Sequence, residues 1–397
     1  MPTESSPSTL NLSGRIPELD GIRGIAIGMV LISHFFAIVS RPGSPLAYAL
    51  VPLRLDWSGV DLFFVLSGFL IGGILLDARE SSNYFRVFYT RRFFRIVPIY
   101  VVLLVSASFV RYLADAGMIR GYGEIFAGRL SWWYFPAFLQ NIGMSIQQVW
   151  GTLPLAPTWS LAVEEQFYLT LPLLIRFLDR RALLRFMLFA IAGAPLLRTF
   201  FFHRDPLNLF TWYTLMPCRA DSLLLGVFGA IVLREPAWRG WLLGRRRFVL
   251  LVSAILLVGV AYLGWRAPSY RDALMATVGF TWLALTYLAF LLYALLYRDS
   301  WISRCLRWNW LRGLGVIAYG TYLFHEFFLG LFFARIPWLY SWHDIRVSFF
   351  ALVVTILLCR LSWVYFEKPL VKIGHRTSYQ FGAAGLAKTA PAPAEGS

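Results

Sequence analysis

Arg23 and His34 stand eleven residues apart in an otherwise apolar run, Leu19–His34, that opens with Asp20. On an α-helix this spacing is about three turns and a rise of about 16 Å, so both side chains lie near one face. A hydrocarbon core is about 30 Å thick. With Arg23 at one membrane edge, His34 lies near mid-depth, where an ionisable group is costly and points to function. A neutral imidazole there is suited to general-base chemistry.

Four more ionisable groups fall at similar depth: Arg219 and Asp221 in one apolar run, His325 and Glu326 in another. Arg219 and Asp221 are two residues apart and cannot face each other on one helix, so each is expected to find a partner on another helix. Five such groups imply a polar cavity that is either a pathway or an active site. Asp61, at the start of the run Trp57–Gly73, reads as a polar partner in that network. Asp61, Trp159, Arg219 and Asp221 are expected to line the substrate pocket.

The segment Pro157–Tyr168 carries two adjacent glutamates, Glu164 and Glu165, which must point to different helix faces. Glu165, flanked by Trp159 and Gln166, is expected to face inward. Glu165 or Glu326 would orient the imidazole as a carboxylate does in a catalytic triad. His34, Glu165, His325 and Glu326 are therefore the candidate catalytic residues.

Arg91, Arg92 and Arg95 form a third constellation. The spacings of three and four residues put guanidinium groups on one helix face. Guanidinium forks suit phosphate oxygens, and the neighbouring Phe93 and Phe94 suit an adenine ring. With Arg23 they would hold a phosphate-rich carrier such as coenzyme A. The plain alternative is that these arginines only set membrane orientation. For Ser67, Gly68, Gly72 and Gly73 the plain reading is close helix packing. Cys218, Cys305 and Cys359 are widely spaced, so neither a disulfide framework nor a metal site is expected.

Long helices must position these groups. Of the 397 residues, 58% are hydrophobic and only 15% charged, which excludes an ordinary soluble domain. The runs 22–40, 57–77, 96–114, 158–178, 183–202, 211–233, 248–265, 272–297, 313–334 and 347–366 predict an all-α, polytopic membrane bundle of about ten helices. The net charge of +16 resides in the connecting loops, so it reflects membrane topology rather than nucleic acid binding. Loops 78–95, 176–185, 234–247 and 298–312 carry five, four, five and four arginines, and the alternate loops carry at most two. That asymmetry puts both termini in the cytoplasm of a plasma-membrane protein.

Residues 1–14 lack the features of a signal peptide and read as a disordered cytoplasmic tail, as do 377–397; residues 15–376 form the membrane domain. The aromatic stretch Ser131–Leu139 is too short to span and suits an interfacial or re-entrant segment. No internal repeat supports a transporter built from inverted halves. A proton-coupled transporter or flippase is still the main competing class, because buried His, Asp and Glu also make proton relays.

In this order the segments resemble acyltransferase family 3, the integral-membrane acyltransferases. The resemblance rests on the Arg-x10-His opening at Arg23 and His34, Asp61–Gly73, Arg92-x-x-Arg95, Trp159–Tyr168, Arg219–Gly226, Gly320–Glu326 and Phe366–Pro369. It covers about residues 15 to 372. It implies that an acyl group, acetyl by default, moves from cytoplasmic acyl-coenzyme A to a hydroxyl of a sugar, cell-surface glycan or exported metabolite. His34 matches the family's essential histidine, and Arg23, Arg92 and Arg95 match its essential arginines. Some relatives add a C-terminal hydrolase-like domain, which these residues do not include.

Overall fold

A computed structural model describes residues 16–128 and 130–381. Its long helices are α1 (Pro17–Ile32), α2 (Gly59–Ala78), α3 (Tyr84–Asp115), α4 (Thr158–Phe177), α5 (Arg180–Arg204) and α6 (Met216–Arg234). They continue as α7 (Arg246–Arg266), α8 (Phe280–Leu296), the short α9 (Asn309–Val316), α10 (Ala318–Phe333) and α11 (Trp342–Ser362). The described residues contain no strand, only an isolated bridge between Ser40 and Leu339.

Eight helical segments are long and apolar enough to cross a membrane, and nine if α9 and α10, bent by 71°, count as one broken span. This is close to the expected ten. The helix that separates the two counts is α4, long enough at 20 residues but carrying Glu164, Glu165 and Arg176. The protein is an all-helical integral membrane bundle.

Burial follows from composition. α2 and α6 are apolar nearly all round and lie inside the bundle, as a helix without a polar face must. α7 exposes Leu250, Leu251, Ile255, Leu257 and Val258, which suits contact with lipid tails. α2 and α6 cross at glycines: a Cβ on Gly68 would strike the backbone carbonyl of Leu223, and one on Gly226 the carbonyl of Val65. Close approach of this kind is how membrane helices gain packing energy without a hydrophobic driving force. A second close crossing, Gly315 against the carbonyl of Asp20, seats α9 on the start of α1. There Glu18, fully buried, accepts hydrogen bonds from Arg298 (3.0 and 3.2 Å) and Arg307 (2.8 Å). Two loop arginines therefore anchor α1.

The aromatic stretch Ser131–Leu139 forms a single turn at Trp132–Tyr134 with Trp132 and Trp133 exposed, followed by a short helix at Gln140–Gln147. Of the tail expected from residue 377, residues 377–381 run beside the start of α3. The carbonyl of Ser378 accepts from Asn83 (2.9 Å), and the Gln380 amide donates to the Asn83 side chain (2.9 Å). The expected tails at 1–14 and 382–397 lie outside the described residues.

Candidate active site

The helix carrying His34 changes geometry where the histidine sits. After Ile32 the chain passes into a π-turn over Ser33–Ala37. Such turns hold one extra residue and recur at functional sites, because they re-aim side chains. Here the turn leaves the His34 Nδ1 facing the carbonyl of Val30 at 2.9 Å. A carbonyl only accepts, so Nδ1 carries a proton and Nε2 points away from the helix. His325, on α10, repeats the arrangement: its Nδ1 lies 2.6 Å from the carbonyl of Tyr322.

The two imidazoles meet edge to face with ring centroids 4.7 Å apart. Glu326 Oε1 lies 3.3 Å from His34 Nε2. His325 Nε2 and Glu326 Oε2 are buried without a hydrogen-bond partner. Three acceptor positions therefore converge with no other donor among them. Two bare lone pairs at that distance would repel, so His34 Nε2 and Glu326 Oε1 are placed to hold a proton or a cation between them. The donor atoms of His34, His325 and Glu326 all lie within 4.8 Å of one another, so the same trio has the ligand types and spacing to hold a metal ion.

The triad expectation needs correcting here. The group that orients the His34 ring through Nδ1 is the Val30 carbonyl, not a carboxylate. Glu326 lies instead on the Nε2 side, beside the nitrogen that would take a proton. Glu165 contacts neither histidine, and its Oε1 is buried and unpartnered.

A cavity of about 200 Å³ opens between α1, α2, α3, α4 and α10. Arg23, Arg92, Arg95 and His375 line it, and Arg92 Nε is buried without a partner. The expected arginine face is real for Arg92 and Arg95. Arg91 points elsewhere: it donates twice to the Thr377 carbonyl (2.8 and 3.2 Å) and stacks on Tyr379. It holds the C-terminal segment and does not line the cavity. Phe93 is largely exposed. Of the two adjacent glutamates, Glu164 lines the cavity and Glu165 does not.

Tyr322, Ser160, Phe63 and Phe64 also line the cavity. Tyr322 bonds Ser160 Oγ at 2.5 Å, and its ring centroid is 5.6 Å from that of His325. His34 does not line the cavity; Tyr322, which does, is in ring contact with His325, and His325 with His34.

Asp61, Trp159, Arg219 and Asp221 are not in the cavity either. They belong to a second buried cluster that joins α2, α4, α5, α6 and α8. Arg219 pairs with Asp61 on α2, and Asp221 pairs with Arg198 on α5 at 2.9 Å. Thr281 donates to Asp221 at 2.6 Å. Each charge does find its partner on another helix. Arg219 is also walled by Phe280, Tyr213 and Phe64, with its guanidinium 4.0 Å from the Phe280 centroid. Trp159 packs on Tyr213 and Phe64 beside it. Full burial on both sides makes this a structural lock rather than a substrate pocket. Arg198 is the residue the sequence reading missed. The signal for it was Asp221, a buried carboxylate in need of a cation.

Comparison with known proteins settles the family. The sequence model of the acyltransferase domain matches residues 16–364, nearly the whole chain. The chain belongs to this acyltransferase family. Among its curated relatives, a Bacillus subtilis protein bearing the provisional name peptidoglycan O-acetyltransferase YrhL is 27% identical over 394 residues, covering 91% of this chain and 56% of the relative. The peptidoglycan O-acetyltransferase OatA of Listeria monocytogenes is 25% identical over 383 residues, covering 90% of this chain and 56% of its own length. The chain thus spans little more than half the length of the relatives it matches. No solved structure matches it. Family membership favours the enzyme over the transporter among the classes that a buried His/Glu cluster allows.

Proposed function

We propose that this acyltransferase-family protein moves an acyl group, acetyl by preference, from acyl-coenzyme A to a carbohydrate hydroxyl or that of an exported metabolite. The observation that carries the reading is the cavity. It collects three arginines and a histidine at one place and reaches, through Tyr322, the wall behind which His325 and His34 meet. Arg23 and His34 are eleven residues apart on one helix, about 16 Å of rise. A flexible thioester arm is the kind of donor that joins a phosphate site to a reaction centre so far away. The names of the relatives support acetyl as the group and a glycan as the acceptor class.

In the proposed step the proton held between Glu326 and His34 passes to the free Nε2 of His325, and His34 Nε2 then takes the proton of the acceptor hydroxyl as its oxygen attacks the thioester carbonyl carbon. The C–S bond breaks, and the coenzyme A thiolate leaves and takes the proton from His34. Glu326, 3.3 Å from that nitrogen, stabilises the imidazolium formed in between. His325 offers a second lone pair for the proton that His34 and Glu326 share at rest. The arginine asymmetry of the loops supports cytoplasmic termini in a plasma membrane, which would put the Arg92–Arg95 face on the cytoplasmic side, where acyl-coenzyme A is made.

Donor binding tests the arginines. Arg92→Ala and Arg95→Ala should each weaken acyl-coenzyme A binding by about 1.5–3 kcal/mol, the usual worth of a charge-assisted contact. Arg→Lys should restore only part of this, because a point charge does not replace a bidentate fork. Equilibrium binding to purified protein reads the outcome, and parent-like affinity in both alanine variants would confine these arginines to topology.

The His34–His325–Glu326 cluster is taken to hold a proton and no metal. Dialysis against EDTA should then leave the transfer rate within about two-fold. Loss of activity that returns with added zinc would make the trio a Lewis-acid site instead.

A further inference from the structure

Among the described residues, Glu164 is the one carboxylate in the lining of a cavity that also holds three arginines and His375. It shares the lining with Ser67 and Tyr168. Glu164 and Tyr168 are four residues apart on α4 and so lie on one face. Tyr168 Oη donates to Glu164 Oε2 at 3.3 Å, and Ser67 Oγ lies 2.5 Å from Tyr168 Oη. With the tyrosine proton given to Glu164, the serine proton must go to the tyrosine oxygen. Both hydroxyl protons are then used inside the trio. What remains for a ligand is acceptor capacity: the other Glu164 oxygen and the Ser67 lone pairs.

A carboxylate that offers only acceptor positions is wrong for phosphate and right for an N–H. Resting on the acyl-coenzyme A reading above, we infer that Glu164, Ser67 and Tyr168 form a subsite for the secondary amides of the donor's pantetheine arm. That arm carries two amide N–H groups between its phosphates and its thioester. An acyl donor built as a lipid ester has none. The subsite would therefore select pantetheine thioesters over lipid-linked acyl donors, and hold the arm extended between the arginines and Tyr322. Arg92 and Arg95 share the cavity with Glu164, so a competing role for the carboxylate is plain charge balance.

Two probes separate these roles: coenzyme A, and adenosine 3′,5′-bisphosphate, which has the adenine and two of the three phosphates without the arm. Binding of each to the purified full chain in detergent is measured for the parent, Glu164→Ala and Glu164→Gln. The subsite predicts that Glu164→Ala weakens coenzyme A at least ten-fold and leaves the bisphosphate within two-fold. Glu164→Gln, which keeps an acceptor oxygen, should recover most of the coenzyme A affinity. Binding of the bisphosphate shows that each variant is folded. If both probes shift together, or the glutamine and alanine variants behave alike, Glu164 is a counter-charge and the inference fails while the donor reading stands. A parent that binds neither probe overturns the donor reading itself, and this inference with it.

Discussion

Replacing His34 with alanine is expected to lower the transfer rate per folded molecule by roughly 10²–10⁴-fold, the usual contribution of a positioned general base. Affinity for acyl-coenzyme A should hold, because Arg23 is about 16 Å of helical rise from His34 and Arg92 and Arg95 lie on another helix. His34→Gln is the sharper variant. Its amide can replace a hydrogen bond to the Val30 carbonyl but cannot accept and return the hydroxyl proton, so it should be nearly as slow as alanine. If His34 only satisfied Glu326 in a buried network, glutamine would restore most of the rate, and alanine would chiefly lower the yield of folded protein. A His34→Gln enzyme within a few-fold of the parent would move the base to His325, whose Nε2 has no partner.

The second large effect is on stability. Asp221→Ala leaves the Arg198 guanidinium buried without its carboxylate, and Asp61→Ala does the same to Arg219. Breaking a fully buried pair by removing one partner costs about 3–5 kcal/mol, more than most single substitutions. Both variants should therefore lose folded protein when extracted in mild detergent, with a clear fall in the unfolding midpoint. What does fold should keep its donor affinity, because neither pair lines the cavity. The double variant Arg198→Leu with Asp221→Leu removes both charges at once. It should be far milder than either single change, since no unpaired charge is left. A double variant as unstable as Asp221→Ala would mean that the cluster does more than balance its own charges.

Much of this was legible because hydrocarbon makes charge conspicuous. His34, His325, Glu326, Arg219 and Asp221 were found as ionisable groups in apolar runs, and the long helices, close to the expected ten, as the runs themselves. Arg92 and Arg95 were found from their spacing on one face. What stayed hidden was decided by fractions of a helical turn. Glu164 and Glu165 differ by about 100° of rotation, and nothing in the sequence sets the absolute angle of α4. The cavity fixed it in favour of Glu164. Arg91 shares the spacing pattern with Arg95, yet the carbonyl of Thr377, 286 residues away in sequence, captures it. The π-turn at Ser33–Ala37 has no sequence signature here, although it aims His34 Nε2 at Glu326. Arg198 sits near the end of its span, close to His203 and Arg204, where a basic residue passes for boundary charge. The expected single polar cavity resolved into two clusters, because Arg219 and Asp221 each found an oppositely charged partner on another helix.

In the proposed reaction one chain carries an acetyl group from coenzyme A to a carbohydrate hydroxyl through His34. The most direct measurement gives purified protein in lipid vesicles acetyl-coenzyme A, isotopically labelled in the acetyl group, together with cell-envelope carbohydrate. Base-labile label is then counted in the carbohydrate for the parent and for His34→Ala. Label is expected with the parent, and near-background label with the variant at equal donor binding. No label with the parent, or equal label with both, would contradict that reaction.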